Sequence, residues 1–473
     1  MLEFQIYTLL IAAICLWGMW WAIFVRRDVF HPLAYLMPMA SYLYVYLPYT
    51  LFSKGLIALV TFTPWQWAHA QLVNLFCIGA LTIGAVLGSR EKPKKSGGKI
   101  YFRPRDISRA YTFALVLGGA SLLAYSVNLN NVGGFIEAYS REKGGGTAES
   151  GYVRDAIFWC VPAIALLGFC ISWDQVRVKY VLPMLLFAMP LMMHGLLGAR
   201  RGPTFIIIVT LVATWFLARR KRPPILLFLG GGAALGFLLL LIVTFRGDFR
   251  LGGEVAKDTG KPAGSLIEQM EERQIEGAER NLGGNEFVYG ANVILTFAER
   301  ADYFWGKRLL TIMFIRPIPK ELWRTKYLDV GMERYLANVG LGTGEDMVMW
   351  TTYGAAPGFV ADLFAEFSYA AIFFAGLIGW VYARIWRVAV SQRGLGMIVY
   401  VILFAFSIFL ILQTMEAIVF RFLFTTVLLF AFWYFKMPRR QAKRKANRPS
   451  GNMITARASS IASFANRIAE TPE

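Results

Sequence analysis

The sequence predicts an all-α, polytopic integral membrane helical bundle of about eleven transmembrane helices, with one large outer loop containing short helices. Three observations predict it. Of 473 residues, 56% are apolar and only 17% charged, against roughly 45–50% and about 25% in a soluble domain. The apolar residues gather in blocks of about 20, the length that carries a helix across roughly 30 Å of hydrocarbon, without the period of two that a membrane barrel requires. Lys and Arg collect on alternate connections between the blocks. A soluble enzyme and a porin-like barrel are thereby excluded.

The blocks lie near 4–25, 31–52, 68–88, 110–128, 156–173, 180–198, 203–218, 224–245, 359–383, 395–412 and 417–435. The first has no basic stretch before it and no small-residue cleavage site after it, so it reads as a retained span and not a signal peptide. Arg26 and Arg27 close it. The third and fourth blocks are separated by the basic segment 90–109, the fifth and sixth by Asp174 to Lys179, the seventh and eighth by Arg219 to Arg222, and the ninth and tenth by Arg384 to Arg393. Together with Arg26 to Asp28 and the tail from Lys436, these segments hold 28 Lys and Arg against 6 acids. Basic loops stay in the cytoplasm, which places the N-terminus outside and the C-terminus inside. The net charge of +19 is then explained by topology and by attraction to anionic membrane lipid, with no nucleic acid partner.

Four units follow: 1–245, a bundle of about eight spans; 246–358, a large outer loop; 359–435, about three spans; and 436–473, a basic cytoplasmic tail expected to be disordered. The loop contains 14 Lys and Arg and 16 Asp and Glu, over half of the chain's 30 acids. Loops of this length are usually functional or carry structure of their own. Within it, Ser265-Leu266-Ile267-Glu268 is a capping box that opens a polar helix to about Arg280. From Ala291 to Trp305, the residues Ile294, Phe297, Ala301 and Phe304 recur at helical spacing. That pattern suits either a helix along the membrane surface or one packed on the other spans. The glycine-rich stretch Gly144 to Gly151 reads as an outer loop, since it lacks the strand and helix context of a phosphate-cradling loop.

Four cysteines, Cys15, Cys77, Cys160 and Cys170, all fall inside apolar blocks. No disulfide framework and no CxxC zinc site is therefore expected. His31, His69 and His194 are scattered, so neither a metal nor another cofactor is expected.

The candidate chemistry lies on the outer side. Arg200 and Arg201, in Gly198-Ala199-Arg200-Arg201-Gly202-Pro203, occupy a very short turn against the positive-inside trend and call for an anion. A guanidinium fork matches phosphate oxygens two at a time and stays charged in a partly dry site. His194, one turn earlier, reads as a packed, hydrogen-bonded residue. In the loop, Arg316, Lys320 and Lys326 stand among Pro317, Pro319 and Trp323, which is either a stiffened cationic segment whose aromatic ring can stack on a sugar or a simple packed loop. Asp362 and Glu366, spaced i, i+4, project from one helix face. Ionisable groups at such depth face a cavity or a partner, so the pair is either a general base or a partner for Arg200, Arg201 or Arg421. Glu416 and Arg421 form a weaker candidate pair.

These features resemble the Wzy-type polysaccharide polymerases of bacterial O-antigen and exopolysaccharide pathways. The resemblance covers mainly residues 198 to 383. It is carried by the GARRG turn, by Tyr303-Phe304-Trp305-Gly306-Lys307 leading into Pro317-Ile318-Pro319-Lys320-Glu321-Leu322-Trp323, and by Pro357-Gly358-Phe359-Val360-Ala361-Asp362-Leu363-Phe364. Tyr327 stands where the family usually has a closing proline. Asp362 and Ser368 replace a glutamate and a glycine six residues apart, which leaves Glu366 as a rival to Asp362. The resemblance implies metal-independent glycosyl transfer at the outer face, from an undecaprenyl-pyrophosphate-linked glycan to a hydroxyl of the next lipid-linked repeat unit. In that scheme Asp362 or Glu366 is the catalytic base, and Arg200, Arg201, Arg316, Lys320 and Lys326 bind pyrophosphate. Trp323 and Arg421 contact substrate, and chain-length regulator and flippase proteins are partners. An O-antigen ligase and a lipid-linked polysaccharide flippase or transporter stand as alternatives. Against transport, no internal repeat is evident and the polar residues gather at one face.

Overall fold

The computed structural model describes residues 1–60, 62–90, 102–140, 151–244, 285–319, 321–332, 356–391 and 394–437. The capping box at Ser265, the glycines from Gly144 to Gly146 and the tail from 438 onward lie outside the described residues. Among the described residues there is no strand, and ten helices are long and apolar enough to cross a membrane. The chain is an all-α, multi-pass membrane protein.

In chain order, α1 is Leu2–Val25, α2 is the continuous helical run 32–53, α3 is Pro64–Arg90 and α4 is Pro104–Asn131. They are followed by α5 (Gly151–Trp173), α6 (Val178–Leu196), α7 (Arg201–Arg219) and α8 (Ile225–Thr244). Then come α9 (Glu286–Arg300), α10 (Gly358–Phe367), α11 (Ala371–Ser391), α12 (Leu395–Leu412) and α13 (Met415–Lys436). The ten are fewer than the eleven expected because α2 carries Pro32, Pro38 and Pro48 and five tyrosines, too little apolar character for the count. It is nonetheless helical throughout, with Pro32 in its first turn, where a missing N–H costs nothing. Leu33, Leu36, Met37, Ala40 and Leu43 are all buried.

Within hydrocarbon, close van der Waals fit takes over from the hydrophobic effect as the cause of helix association, and small residues permit it. The contact of α3 with α11 shows this plainly. A Cβ on Gly84 would run into the Gly376 carbonyl, one on Gly88 would lie 2.6 Å from the Trp380 carbonyl oxygen, and one on Gly379 would meet the Leu81 carbonyl. The two backbones touch because both sides lack side chains there. Helices α5 and α12 are buried over most of their length and form the centre of the bundle. By contrast α8 is almost entirely uncovered and packs mainly along α7.

The expected ninth span, 359–383, is two helices. Ser368, at φ +53° and ψ −142°, takes a positive-φ conformation outside the helical regions and stops α10 after ten residues; a short turn then leads into α11, which runs to Ser391. Asp362 and Glu366 therefore sit on a short buried helix ahead of the crossing helix. The helix expected over 291–305 forms at Glu286–Arg300 instead, capped by Asn285, whose side chain accepts from the N–H groups of Phe287 and Val288. It ends where Ala301 turns left-handed at φ +52°. Of the two readings of this segment, packing holds: Phe287, Ile294 and Phe297 are buried and α9 lies on α10.

Candidate functional site

The turn between α6 and α7 is tight because Ala199 adopts φ +47° and the Arg200 N–H returns to the Gly195 carbonyl at 2.9 Å. Gly195 permits this, since a Cβ there would lie 2.7 Å from the Thr204 backbone nitrogen. The turn delivers Arg200 as the residue before α7 and Arg201 as its first residue. Arg201 is paired within the chain: its Nη2 pairs with Glu286 Oε1 on the first turn of α9. The anion it calls for is in part supplied by the chain itself.

Arg201 also lines a cavity of about 490 Å³ bounded by α1, α2, α7, α8 and α12. Ile23, Tyr35, Phe205, Leu239 and Phe404 are typical of its wall, and Arg201 is the one charged lining residue among those described. The volume falls within the range of roughly 300–1,000 Å³ usual for ligand sites. One wall is α8, which contributes Gly232 and Gly236 with no neighbouring atom in front of either.

A second cluster gathers further cations. Arg154 on α5 acts electrostatically on both His194 and Arg421. Arg200 acts on His194 and Tyr139, and Arg316 on Arg421. Four half-buried guanidinium groups, Arg200, Arg154, Arg421 and Arg316, are thus linked in series. Two carboxylates accompany them. Arg316 Nη1 donates to Glu416 Oε1 at 2.6 Å while its guanidinium stacks 4.1 Å from the centre of the Phe420 ring. Asp155 lies 3.9 Å from Arg421 Nε, and the same guanidinium sits 4.3 Å over Phe409. Stacking on aromatic faces holds a guanidinium flat and leaves its edges for anions.

The carboxylates expected to act as a base are elsewhere. Asp362 and Glu366 are 0% exposed and share one guanidinium, that of Arg308, which is itself 0% exposed. Arg308 Nη2 donates to Asp362 Oδ1 and Nε to Glu366 Oε1, each at 2.6 Å. The remaining oxygens are also taken: Asp362 Oδ2 accepts the Met415 N–H at 2.6 Å and Glu366 Oε2 the Gly306 N–H at 3.1 Å. Burial opposes the charge on Arg308, but Asp362, Glu366 and Glu416 outweigh it and hold its pKa above the ordinary value. Burial first, and then the Asp362 charge, push the neighbouring Tyr289 hydroxyl up to about 12, with Arg308 pulling the other way. This geometry ties the segment around Gly306 and Arg308 to α10 and the start of α13, and it presents no carboxylate oxygen to an opening. The partner is Arg308, not Arg200, Arg201 or Arg421.

One further expectation is corrected, and a second residue is held within its own loop. Lys326, expected to bind pyrophosphate, is 1% exposed, and its ammonium donates to the carbonyls of Ile315 (3.3 Å), Arg316 (3.1 Å) and Ile318. Those three bonds use the three donors of an ammonium group, so Lys326 pins the loop that carries Arg316. Trp323 donates its indole N–H to Asp329 Oδ2 at 2.5 Å and is half-buried, which fixes the ring within its own loop. Lys320 lies outside the described residues. His194 is buried, as expected of a packed residue, although no group among the described residues bonds its Nδ1. Among the described residues no three His, Cys, Asp or Glu side chains stand together as a metal site would require.

Fold and site together define a multi-pass helical membrane protein with a series of arginines beside an apolar cavity. No protein-family model, curated protein or solved structure matches the chain. Sequence reasoning missed Arg308, Glu286 and Arg154 and undervalued Glu416. Arg308 had one signal, its place at the head of the apolar run Leu309 to Ile315, and Glu286 and Arg154 had none beyond their charge.

Proposed function

We propose that the chain is a glycosyltransferase that polymerises undecaprenyl-pyrophosphate-linked oligosaccharide repeat units at the periplasmic face of a bacterial inner membrane. The observation that carries this reading is the apolar cavity headed by Arg201 and flanked by the arginine series. An amphiphile with a long hydrocarbon chain and an anionic head needs this juxtaposition: chain among Ile23, Phe205 and Leu239, phosphate near Arg200 and Arg201. Fixed guanidinium groups aimed where negative charge develops on the departing pyrophosphate are the kind of element that typically supplies about 2.7–4 kcal/mol per donor in such sites. The glycan then extends from the head toward Arg154, Arg421 and Arg316. The resemblance of the GARRG turn and the loop motifs to the Wzy-type polymerases points the same way.

The test is the purified full chain, reconstituted in vesicles and given a purified lipid-linked repeat unit. Lengthened glycan on the carrier is the expected product. Consumption of donor only when lipid A core is supplied would identify a ligase. Movement of the lipid between leaflets without lengthening would identify a flippase.

A further inference from the structure

We propose that Glu416 is the catalytic base for the acceptor hydroxyl, an inference that rests on the glycan-transfer reading above. Asp362 and Glu366 have every oxygen engaged, by Arg308 and by two backbone N–H groups. Glu416 does not. Its Oε1 takes Arg316 Nη1, and among the described residues nothing donates to Oε2, which is buried. A buried carboxylate oxygen without a donor is costly in the resting protein and calls for an explanation; a hydroxyl arriving with the substrate supplies one.

Access and orientation agree with this role. The Glu416 side chain is 7% exposed, whereas Arg316 and Arg421 beside it are 25% and 21% exposed, so the arginine side is the way in. Arg316 holds one oxygen in place and leaves the other to react. Thr414 fixes the start of α13 by accepting the Ala417 N–H at 3.1 Å, which sets the position of Glu416 in the first turn. Glu286 Oε2 also lacks a donor among the described residues. Its partner Arg201, however, lines the cavity assigned to the carrier's chain, and the acceptor sugar belongs on the other side of the pyrophosphate.

In the step itself the acceptor hydroxyl oxygen forms a bond to C1 of the donor glycan and its proton passes to Glu416 Oε2. The bond from C1 to the pyrophosphate oxygen breaks, and its electron pair leaves on the lipid pyrophosphate beside the arginine series. The proton on Glu416 is then returned to water or to the departing phosphate.

The test uses the reconstituted full chain and the lipid-linked repeat unit. Glu416→Gln preserves volume and an acceptor for Arg316; chain lengthening should fall by about 10²–10⁴-fold with retention of radiolabelled donor unchanged. Glu416→Asp should lengthen chains measurably, with the acid limb of its pH–rate profile displaced from that of the wild type. A Gln variant within about threefold of wild type, far short of the loss expected of a base, overturns the proposal, as does an Asp variant whose acid limb superimposes on the wild-type one. If the Gln variant does not fold, the Asp profile decides. Loss confined to Glu286→Gln moves the base to α9. Wild-type protein that lengthens nothing overturns the glycan-transfer reading and this inference with it, whereas an active wild type with an indifferent Glu416 removes only the inference.

Discussion

Replacing Arg308 by methionine leaves Asp362 and Glu366 facing each other without their shared cation. Both carboxylates are fully buried and each loses a 2.6 Å hydrogen bond from the guanidinium. Breaking a buried pair by removing one partner costs about 3–5 kcal/mol. The two losses do not simply add, because they share one cation and each carboxylate keeps a backbone donor, from Met415 or Gly306. A net cost of about 3–5 kcal/mol corresponds to roughly two to three and a half decades in the unfolding constant. The assay is denaturant unfolding of the detergent-purified protein. Arg308→Met, Asp362→Asn and Glu366→Gln combined should recover most of the loss, since a neutral buried set avoids the desolvation that makes the lone charges costly. A single Arg308→Met protein as stable as wild type would refute the reasoning, and so would a triple variant no more stable than the single one.

Filling the cavity with Leu239→Trp is expected to weaken donor binding at least about tenfold, or about 1.4 kcal/mol, with unfolding unchanged; equal binding in a donor-retention assay would detach the cavity from the substrate. Gly84→Ala puts a methyl group against the Gly376 carbonyl and should destabilise the α3–α11 contact by about 1–3 kcal/mol. Gly79→Ala, whose nearest neighbour is Ile14 Cδ1 at 3.9 Å, should stay within about 0.5 kcal/mol of wild type, and equal melting of both variants would contradict the close approach. For orientation, the four native cysteines are buried, so a membrane-impermeant thiol reagent added from outside should label Ser53→Cys and miss Lys221→Cys; the reverse pattern would invert the topology.

What hydropathy and charge reveal is local, and the local features were legible. Apolar blocks marked every crossing helix, and the Arg200–Arg201 turn stood out because basic residues are unusual on the side that charge asymmetry makes the outer one. Contacts between distant residues were not legible. Arg308 meets Asp362 and Glu366 at separations of 54 and 58 residues, and nothing in either segment names the other. The break at Ser368 was hidden for a different reason: serine does not announce a positive φ as glycine would, so hydropathy ran α10 and α11 together. The i, i+4 spacing of Asp362 and Glu366 correctly implied one face. It gave no means of telling a base from an anchor, which depends on where the guanidinium sits.

Helix α8 touches mainly α7 and is otherwise uncovered, so its tilt is set less by protein than by the thickness of the surrounding bilayer. A span longer than the local hydrocarbon tilts to fit, and a shorter one thins the membrane around it, at fractions of a kcal/mol per Å. Spans locked into the centre, such as α5 and α12, resist that adjustment, whereas α8 can follow it. Since α8 is also a wall of the apolar cavity, acyl-chain length becomes a determinant of the cavity's width. Capture of the carrier should then vary between vesicles of short and long lipids while the melting of the bundle stays constant.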